Sequence, residues 1–217
     1  MKKSMKFIIS KGMMFEISHE YTFPIALVSF ILTAGIVWFI VIFGMSKFLL
    51  LLLPAYFANI VAFWSSKIRL LKFLDIPIDL KLTWIDGNRI LGDSKTLRGV
   101  LSGLVTSIIV AYILYYIVNG IISYSSLDEA LFLGFLVGAG GMGGDLIRSF
   151  FKRRIGLRSG ENWFPFDDLD FALGALLILG IYVNFPMSFA ILTLIGTLTL
   201  RFLSNIFDFT FRLKKPN

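Results

Sequence analysis

Residues 138–171 read GAGGMGGDLIRSFFKRRIGLRSGENWFPFDDLDF, and this stretch decides the fold around it. It opens as an apolar, glycine-rich segment, continues through one carboxylate and five cations, and closes on three aspartates before another apolar run. In chain order these charged residues are Asp145, Arg148, Lys152, Arg153, Arg154, Arg158, Asp167, Asp168 and Asp170. Charges at the edge of two apolar segments are costly to place in a membrane. Their clustering therefore indicates a functional site.

The composition is that of an integral membrane protein. Of the 217 residues, 57% are hydrophobic and 23 are Phe, whereas soluble domains are about 45–50% apolar. Cys is absent and His19 is the single histidine. This excludes disulfides, thiolate catalysis, Cys- or His-rich metal sites and any Ser-His-Asp triad without His19. The net charge of +7 favours anionic lipid headgroups or phosphate substrates over nucleic acid, because no soluble basic domain is evident.

Apolar runs predict an all-α, polytopic membrane protein with about six transmembrane helices. The predicted spans are residues 24–45, 48–64, 100–120, 130–147, 171–183 and 187–207. A span needs about 20 apolar residues, so the fifth is short unless it begins earlier. Polar loops occupy residues 65–99 and 148–170. We expect residues 1–45 to form an N-terminal segment with an extra helix, and residues 46–217 to form the main domain.

The distribution of basic residues predicts the orientation. With six spans, all but two of the 21 Lys and Arg residues lie on one side, the exceptions being Lys47 and Arg201. Lys and Arg are retained on the cytoplasmic side of membrane proteins. We therefore expect a multi-pass protein of the cell membrane with both termini and both polar loops in the cytoplasm.

Three acids form a candidate metal site. Asp167 and Asp170 are spaced i, i+3 and share a helix face if the fifth helix begins near Phe166. Asp145, at the end of the preceding span, can converge on them. Carboxylates without Cys or His suit Mg²⁺, with Mn²⁺ as the alternative, rather than zinc, and neighbouring cations would neutralise phosphates. In the alternative interpretation, the acids pair with adjacent Lys and Arg and only hold a loop.

The earlier loop contributes GDSKT, which resembles half of a phosphate-binding loop without matching its full pattern. A role in gripping phosphates and a role as interfacial anchors both fit Lys95 and Arg98. Asp75 and Asp79 are expected to be ordinary solvated residues. For the glycines of residues 138–144 we favour close helix packing with a break near Asp145.

Four motifs together resemble one family. They are LLLPAYFAN (51–59), DGNRILGDSKTLRG (86–99), GAGGMGGDLIRSFFKRR (138–154) and FPFDDLDF (164–171). From about residue 50 onward the chain is similar to the CDP-archaeol synthases, relatives of the CDP-diacylglycerol synthases. The resemblance implies a five-span core, to which residues 24–45 look like an addition. It also implies transfer of CMP from CTP to an isoprenoid glycerol-ether phosphate, with Mg²⁺ and release of pyrophosphate.

The resemblance also implies residue roles. Its catalytic set maps to Asp145, Asp167, Asp170, Lys152 and Arg153, of which the three acids are the metal ligands. Its CTP-binding set maps to Asp93, Lys95, Thr96, Arg98 and Ser149, and Arg154 is counted with them. Asp168 stands where the family usually has Gln, which leaves open whether Asp167 or Asp168 is the ligand. Arg201 stands where the family usually has His.

Other classes of function compete with this interpretation. A CDP-diacylglycerol synthase acting on ester phosphatidate shares the motifs. A transporter would place ionisable groups near mid-membrane in several spans, whereas here nearly all lie at one face. A lipid-binding anchor would not need the carboxylates. The partners we expect are CTP, a lipid phosphate and membrane lipids, without nucleic acid, and a homodimer is compatible with the sequence.

Overall fold

The computed structural model describes residues 4–10, 13–18, 22–42, 46–65, 68–118, 124–159 and 161–214. Five basic residues used to predict the orientation lie outside these ranges. They are Lys2, Lys3, Lys11, Lys67 and Lys215.

Helices make up most of the described chain, which confirms the all-α membrane fold class. They are α1 (Thr22–Ile42), α2 (Ser46–Ser65), α3 (Leu97–Ile117), α4 (Leu127–Arg154), α5 (Phe166–Tyr182) and α6 (Met187–Lys214), with a 3-10 helix at Arg69–Leu74. An antiparallel hairpin of β1 (Ser4–Ser10) and β2 (Met13–Ser18) precedes them and pairs Ser4 with Ser18. This hairpin was not predicted from the sequence, in which the segment was described only as short, basic and mildly apolar.

Among the described residues, four helices are long and apolar enough to cross a membrane: α2, α3, α4 and the first 18 residues of α6. The 21 residues of α1 contain no charge, and α5 has 17 residues. The protein is therefore a membrane protein. The count of six spans remains a prediction.

The chain divides into two compact units. One consists of Met1–Met45, Asn162–Leu169 and Met187–Asn217, and the other of Ser46–Glu161 and Asp170–Pro186. In the first unit α1 packs along α6, and the Thr33 hydroxyl donates to that of Thr199 over 2.8 Å. In the second unit α2, α3 and α4 pack against one another. The predicted domain division at residue 45 remains a prediction.

Glycines let α4 and α5 touch backbone to backbone. A Cβ on Gly144 would lie 2.1 Å from the carbonyl oxygen of Asp170, and one on Gly174 would lie 2.1 Å from that of Gly140. Neither carbonyl can move without shifting a helix. Small residues at such crossings bring helices closer than any side chain permits, so the expectation of close packing is confirmed.

The expected break near Asp145 is wrong, because α4 runs unbroken from Leu127 to Arg154. Each interior glycine costs a helix about 1 kcal/mol relative to Ala, but the direct packing against α5 offsets that cost. Gly156, whose φ is 76°, follows the end of the helix. The cations from Arg148 to Arg154 therefore lie on helical turns rather than in the loop predicted at 148–170.

The fifth helix begins at Phe166, five residues before the predicted span. This meets the condition under which Asp167 and Asp170 lie one turn apart on the same helix. The acidic residues of its first turn, Asp167 and Asp168, also favour a helix start at this point.

Gly144→Ala should destabilise the protein by about 1–3 kcal/mol, because the new methyl group overpacks a backbone contact. Gly143→Ala is the matched control, since a Cβ there meets nothing within 4 Å. Thermal unfolding in detergent would compare them. Equal unfolding midpoints for the two variants would contradict the backbone contact.

Candidate active site

Two carboxylates and two cations meet where α4 and α5 cross. The Lys95 ammonium donates to both oxygens of Asp145 over 2.6 Å. The Arg148 guanidinium bridges the acids, because Nη2 contacts Asp145 and Nε lies 2.7 Å from Oδ2 of Asp170. The side chain of Asp170 is 5% exposed and that of Asp145 is 23% exposed. We call Lys95, Asp145, Arg148 and Asp170 the four-charge cluster.

The four-charge cluster is electrically balanced. Charged side chains inside membrane proteins are costly and usually pair with one another. Here the formal charges of Asp145 and Asp170 are matched by those of Lys95 and Arg148. The same pairing makes both carboxylates converge on a shared cation, the Arg148 guanidinium.

The loop between α2 and α3 places Lys95 in the cluster. The Ile78 N–H donates to the Lys95 carbonyl over 2.9 Å, and the Lys95 N–H donates to the Gly92 carbonyl over 3.2 Å. Thr96 is the N-cap of α3 and its hydroxyl accepts from the Gly99 N–H. Hydrogen bonds therefore fix the backbone on both sides of Lys95.

Asp79 organises this loop, and the expectation that it is solvated is wrong. Its side chain is fully buried against Arg89, whose Nη2 lies 2.6 Å from Oδ1. Its oxygens also accept from the N–H groups of Lys81, Leu91 and Gly92 at 3.0–3.1 Å. Burial alone would raise the pKa of Asp79, but these donors outweigh it and lower that pKa well below its usual range.

Three further residues of this loop and the start of α3 lie outside the four-charge cluster. Arg98 is buried on α3 and its Nη2 lies 3.0 Å from Oδ1 of Asp75. Asp75 was expected to be solvated, and its side chain is 41% exposed. The side chain of Asp93 is 73% exposed and pairs with Arg89 at 2.9 Å.

Polar side chains on the last turns of α4 form hydrogen bonds and ion pairs with α4 itself and with the neighbouring loops. The Ser149 hydroxyl donates to the Asp145 carbonyl over 2.8 Å. Lys152 and Arg153 are buried, and Arg153 donates to the carbonyls of Leu91 and Leu157. Arg154 lies 2.9 Å from Oδ1 of Asp86. These contacts anchor the 86–92 loop to α4.

A cavity of about 330 Å³ opens between that loop and the end of α4. Its lining includes three arginines and one aspartate, and this excess of positive charge suits an anion. The lining residues are Asn88, Arg89, Gly92, Asp93, Arg153, Gly156, Leu157, Arg158 and Ser159. Gly92 has a φ of 105°, and a Cβ there would meet Nε of Arg153 at 3.1 Å, so a side chain at this position would be strained and crowded.

Asp167 and Asp168 belong to the other compact unit and make different contacts. An Asp167 oxygen accepts from the Trp163 N–H over 2.7 Å. Oδ1 of Asp168 lies 2.9 Å from Nε of Arg201, and the Asp168 side chain is 11% exposed. Asp168 thus forms an ion pair with a residue of α6.

The donor chemistry at the cluster fits Mg²⁺. Two carboxylates already converge on one cation, and Mg²⁺ is commonly held by one or two carboxylates together with substrate phosphates. Within the described ranges, no three Asp, Glu or His residues are close enough to form a metal site from protein groups alone. The metal roles of Asp145, Asp167 and Asp170 remain predictions.

The structure gives two residues roles that were not predicted from the sequence. Arg148 was counted as a loop cation, although its i, i+3 spacing from Asp145 would have paired them on a continuous helix. Asp79 carried no local signal, because its partners lie up to 13 residues away in a loop without regular periodicity.

Comparisons with known proteins agree with the motif resemblance. A family model described as CDP-archaeol synthase, CarS-like, matches residues 37–216. The CDP-archaeol synthase of Pyrobaculum aerophilum is 32% identical over 174 residues, covering 79% of this chain and 97% of that protein. That of Pyrococcus horikoshii is 36% identical over 164 residues, covering 76% and 91%.

A solved structure is also similar. It is described as an intramembrane enzyme for archaeal membrane lipids biosynthesis, and it aligns with a TM-score of 0.60 and 27% identity. The alignment covers 72% of this chain and 91% of the solved chain. Fold and motifs therefore point to the same relatives.

The Asp168–Arg201 pair should stabilise the contact between the start of α5 and α6 by about 1 kcal/mol, because the carboxylate is buried while the guanidinium is half exposed. Arg201→Ala should lower the unfolding midpoint, and adding Asp168→Asn should recover part of the loss. Arg158→Ala, which removes an exposed guanidinium, is the control. Strictly additive effects of the two substitutions would show that the pair contributes nothing.

Proposed function

The chain belongs to the CDP-archaeol synthase family, and we propose that it transfers the CMP moiety of CTP to an isoprenoid glycerol-ether phosphate, unsaturated archaetidic acid. The products are a CDP-archaeol-type lipid and pyrophosphate. The observation that supports this most directly is the four-charge cluster beside the close crossing of α4 and α5. It offers carboxylates for a metal and cations for phosphates next to the membrane that dissolves the lipid substrate.

The reaction is an in-line displacement at phosphorus. A phosphate oxygen of the lipid attacks the α-phosphorus of CTP and forms a new P–O bond. The bond from that phosphorus to the bridging oxygen breaks, and pyrophosphate leaves with the electron pair. Since the lipid phosphate is already anionic near neutral pH, no general base is required. This agrees with a sequence that contains a single histidine, His19.

The cations of this chain would bind and orient the reacting groups. Lys95 and Arg148 are placed to exchange a carboxylate partner for a phosphate oxygen, which would neutralise charge developing in the transition state. Arg153 and Arg154 hold the loop beside the 330 Å³ cavity, and Lys152 is buried on the same turn of α4. Positioning and charge neutralisation are the main protein contributions to phosphoryl transfer.

Asp145 and Asp170 are the residues that would hold Mg²⁺, with Asp167 as a further ligand by family resemblance. The i, i+3 spacing of Asp167 from Asp170 supports Asp167 over Asp168 for that role. The chemistry such an ion supplies is polarisation of phosphate oxygens. Mn²⁺, which accepts the same oxygen ligands, is the alternative.

We further propose that the termini and the site face the cytoplasm, where CTP is available. The strong asymmetry of Lys and Arg along the sequence supports this orientation. A homodimer, which is compatible with the sequence, is part of the same proposal.

Purified protein in detergent, given labelled CTP, Mg²⁺ and archaetidic acid, should release pyrophosphate and form a CDP-lipid in equal amounts. Parallel reactions with ester phosphatidate and with the other three nucleoside triphosphates would define lipid and base specificity. Absence of both products with every lipid would refute the proposed transferase activity.

Asp145→Asn and Asp170→Asn should each lower kcat/KM on the order of 10³-fold, because each removes several kcal/mol of charge stabilisation at the phosphates. Asp128→Asn is the matched control, since Asp128 is exposed in the first turn of the same helix. Thermal unfolding would verify that all three variants fold. Near-normal turnover by a folded Asp145→Asn variant would contradict the assignment.

A further inference from the structure

Asp79 collects five hydrogen-bond donors from three parts of one loop. Two come from the Arg89 guanidinium, at 3.1 Å from Nε and 2.6 Å from Nη2. Three come from the backbone N–H groups of Lys81, Leu91 and Gly92. A buried carboxylate satisfied in this way fixes the relative positions of every segment that donates to it.

The backbone next to Asp79 is held in an unfavourable conformation. Leu80 and Lys81 have φ values of 47° and 64°, which cost non-glycine residues about 1–3 kcal/mol each. Such conformations persist only where surrounding contacts over-determine them. The Lys81 N–H bond to Asp79 is one of those contacts, so the carboxylate holds the turn that follows it.

A short series of contacts leads from Asp79 to the active-site ammonium. Asp79 accepts from the Gly92 N–H, and the Gly92 carbonyl accepts from the Lys95 N–H. On the other side, Ile78, the neighbour of Asp79, donates to the Lys95 carbonyl. The peptide groups on both sides of Lys95 are thus fixed by the backbone that Asp79 organises, and Nζ of Lys95 reaches Asp145.

We propose that Asp79 is a positioning residue for the transfer reaction, which holds Lys95 at the distance from Asp145 that phosphate binding requires. The proposal rests on the function proposed above, in which Lys95 contacts phosphate. Asp79 itself lies outside the four-charge cluster and acts only through the loop. A misplacement of about 1 Å in such a group can lower a rate about 10²-fold.

The first test measures the position of Lys95 without activity. In the Asp79→Asn variant, the new amide nitrogen faces hydrogen-bond donors, so we expect the loop to loosen. Acylation of Lys95 by an amine-reactive ester should then rise several-fold. Mass spectrometry would map the acylated lysines. Buried Lys152 and exposed Lys72 are internal controls and should not change. Unchanged Lys95 labelling would overturn the proposal, as would a parallel rise at Lys152, because that reports general unfolding.

The second test is a double-mutant cycle on CTP turnover. Asp79→Asn should lower kcat/KM about 10–100-fold in the wild-type background and have little further effect in a Lys95→Ala background. Equal fold losses in both backgrounds would show a merely structural role. Arg89→Lys keeps one donor to Asp79 and all the backbone donors, so its effect on kcat/KM should be smaller but show the same dependence on Lys95. This variant replaces Asp79→Asn in the cycle if Asp79→Asn folds poorly.

The two tests separate two kinds of failure. If the wild-type protein forms no CDP-lipid, the proposed function fails, while the labelling result still decides whether Asp79 positions Lys95. If turnover is normal and Lys95 labelling does not respond to Asp79→Asn, only the positioning role fails.

Discussion

Direct contact between the backbones of α4 and α5 is the constraint on which the site depends. Gly140, Gly144 and Gly174 leave no room for a Cβ at the crossing. Asp145 and Asp170 each lie next to this contact, so the approach of the two helices is what brings their carboxylates to one guanidinium. The glycines therefore serve the chemistry through packing, and no ligand contact has to be invoked for them.

Charge compensation is the second requirement, and it links the membrane helices to the polar loop. Arg148 comes from the same helix as Asp145, whereas Lys95 comes from a loop about 50 residues earlier. The loop can supply that cation only because Asp79 and Arg89 give it a fixed shape. Folding of the loop and neutrality of the buried acids are thus parts of one arrangement.

The sequence was sufficient for the parts of the protein that depend on local pattern. Apolar runs identified α2, α3, α4 and α6, and the motifs around Lys95, Asp145 and Asp170 identified the family and three members of the four-charge cluster. It was insufficient where tertiary contacts decide the outcome. Glycines that weaken an isolated helix did not interrupt α4, because α5 covers them, and Asp79 looked solvated because its donors are scattered along the loop.

The uninterrupted course of α4 also fixes the distances between the groups along it. Its 28 residues extend about 42 Å at 1.5 Å per residue, roughly 12 Å more than the hydrocarbon core. Asp145 and Arg154 are separated by about 14 Å along this single rod. Inserting or deleting one residue between them would rotate one group by about 100° relative to the other. Evolution can therefore vary side chains on this segment far more readily than its length.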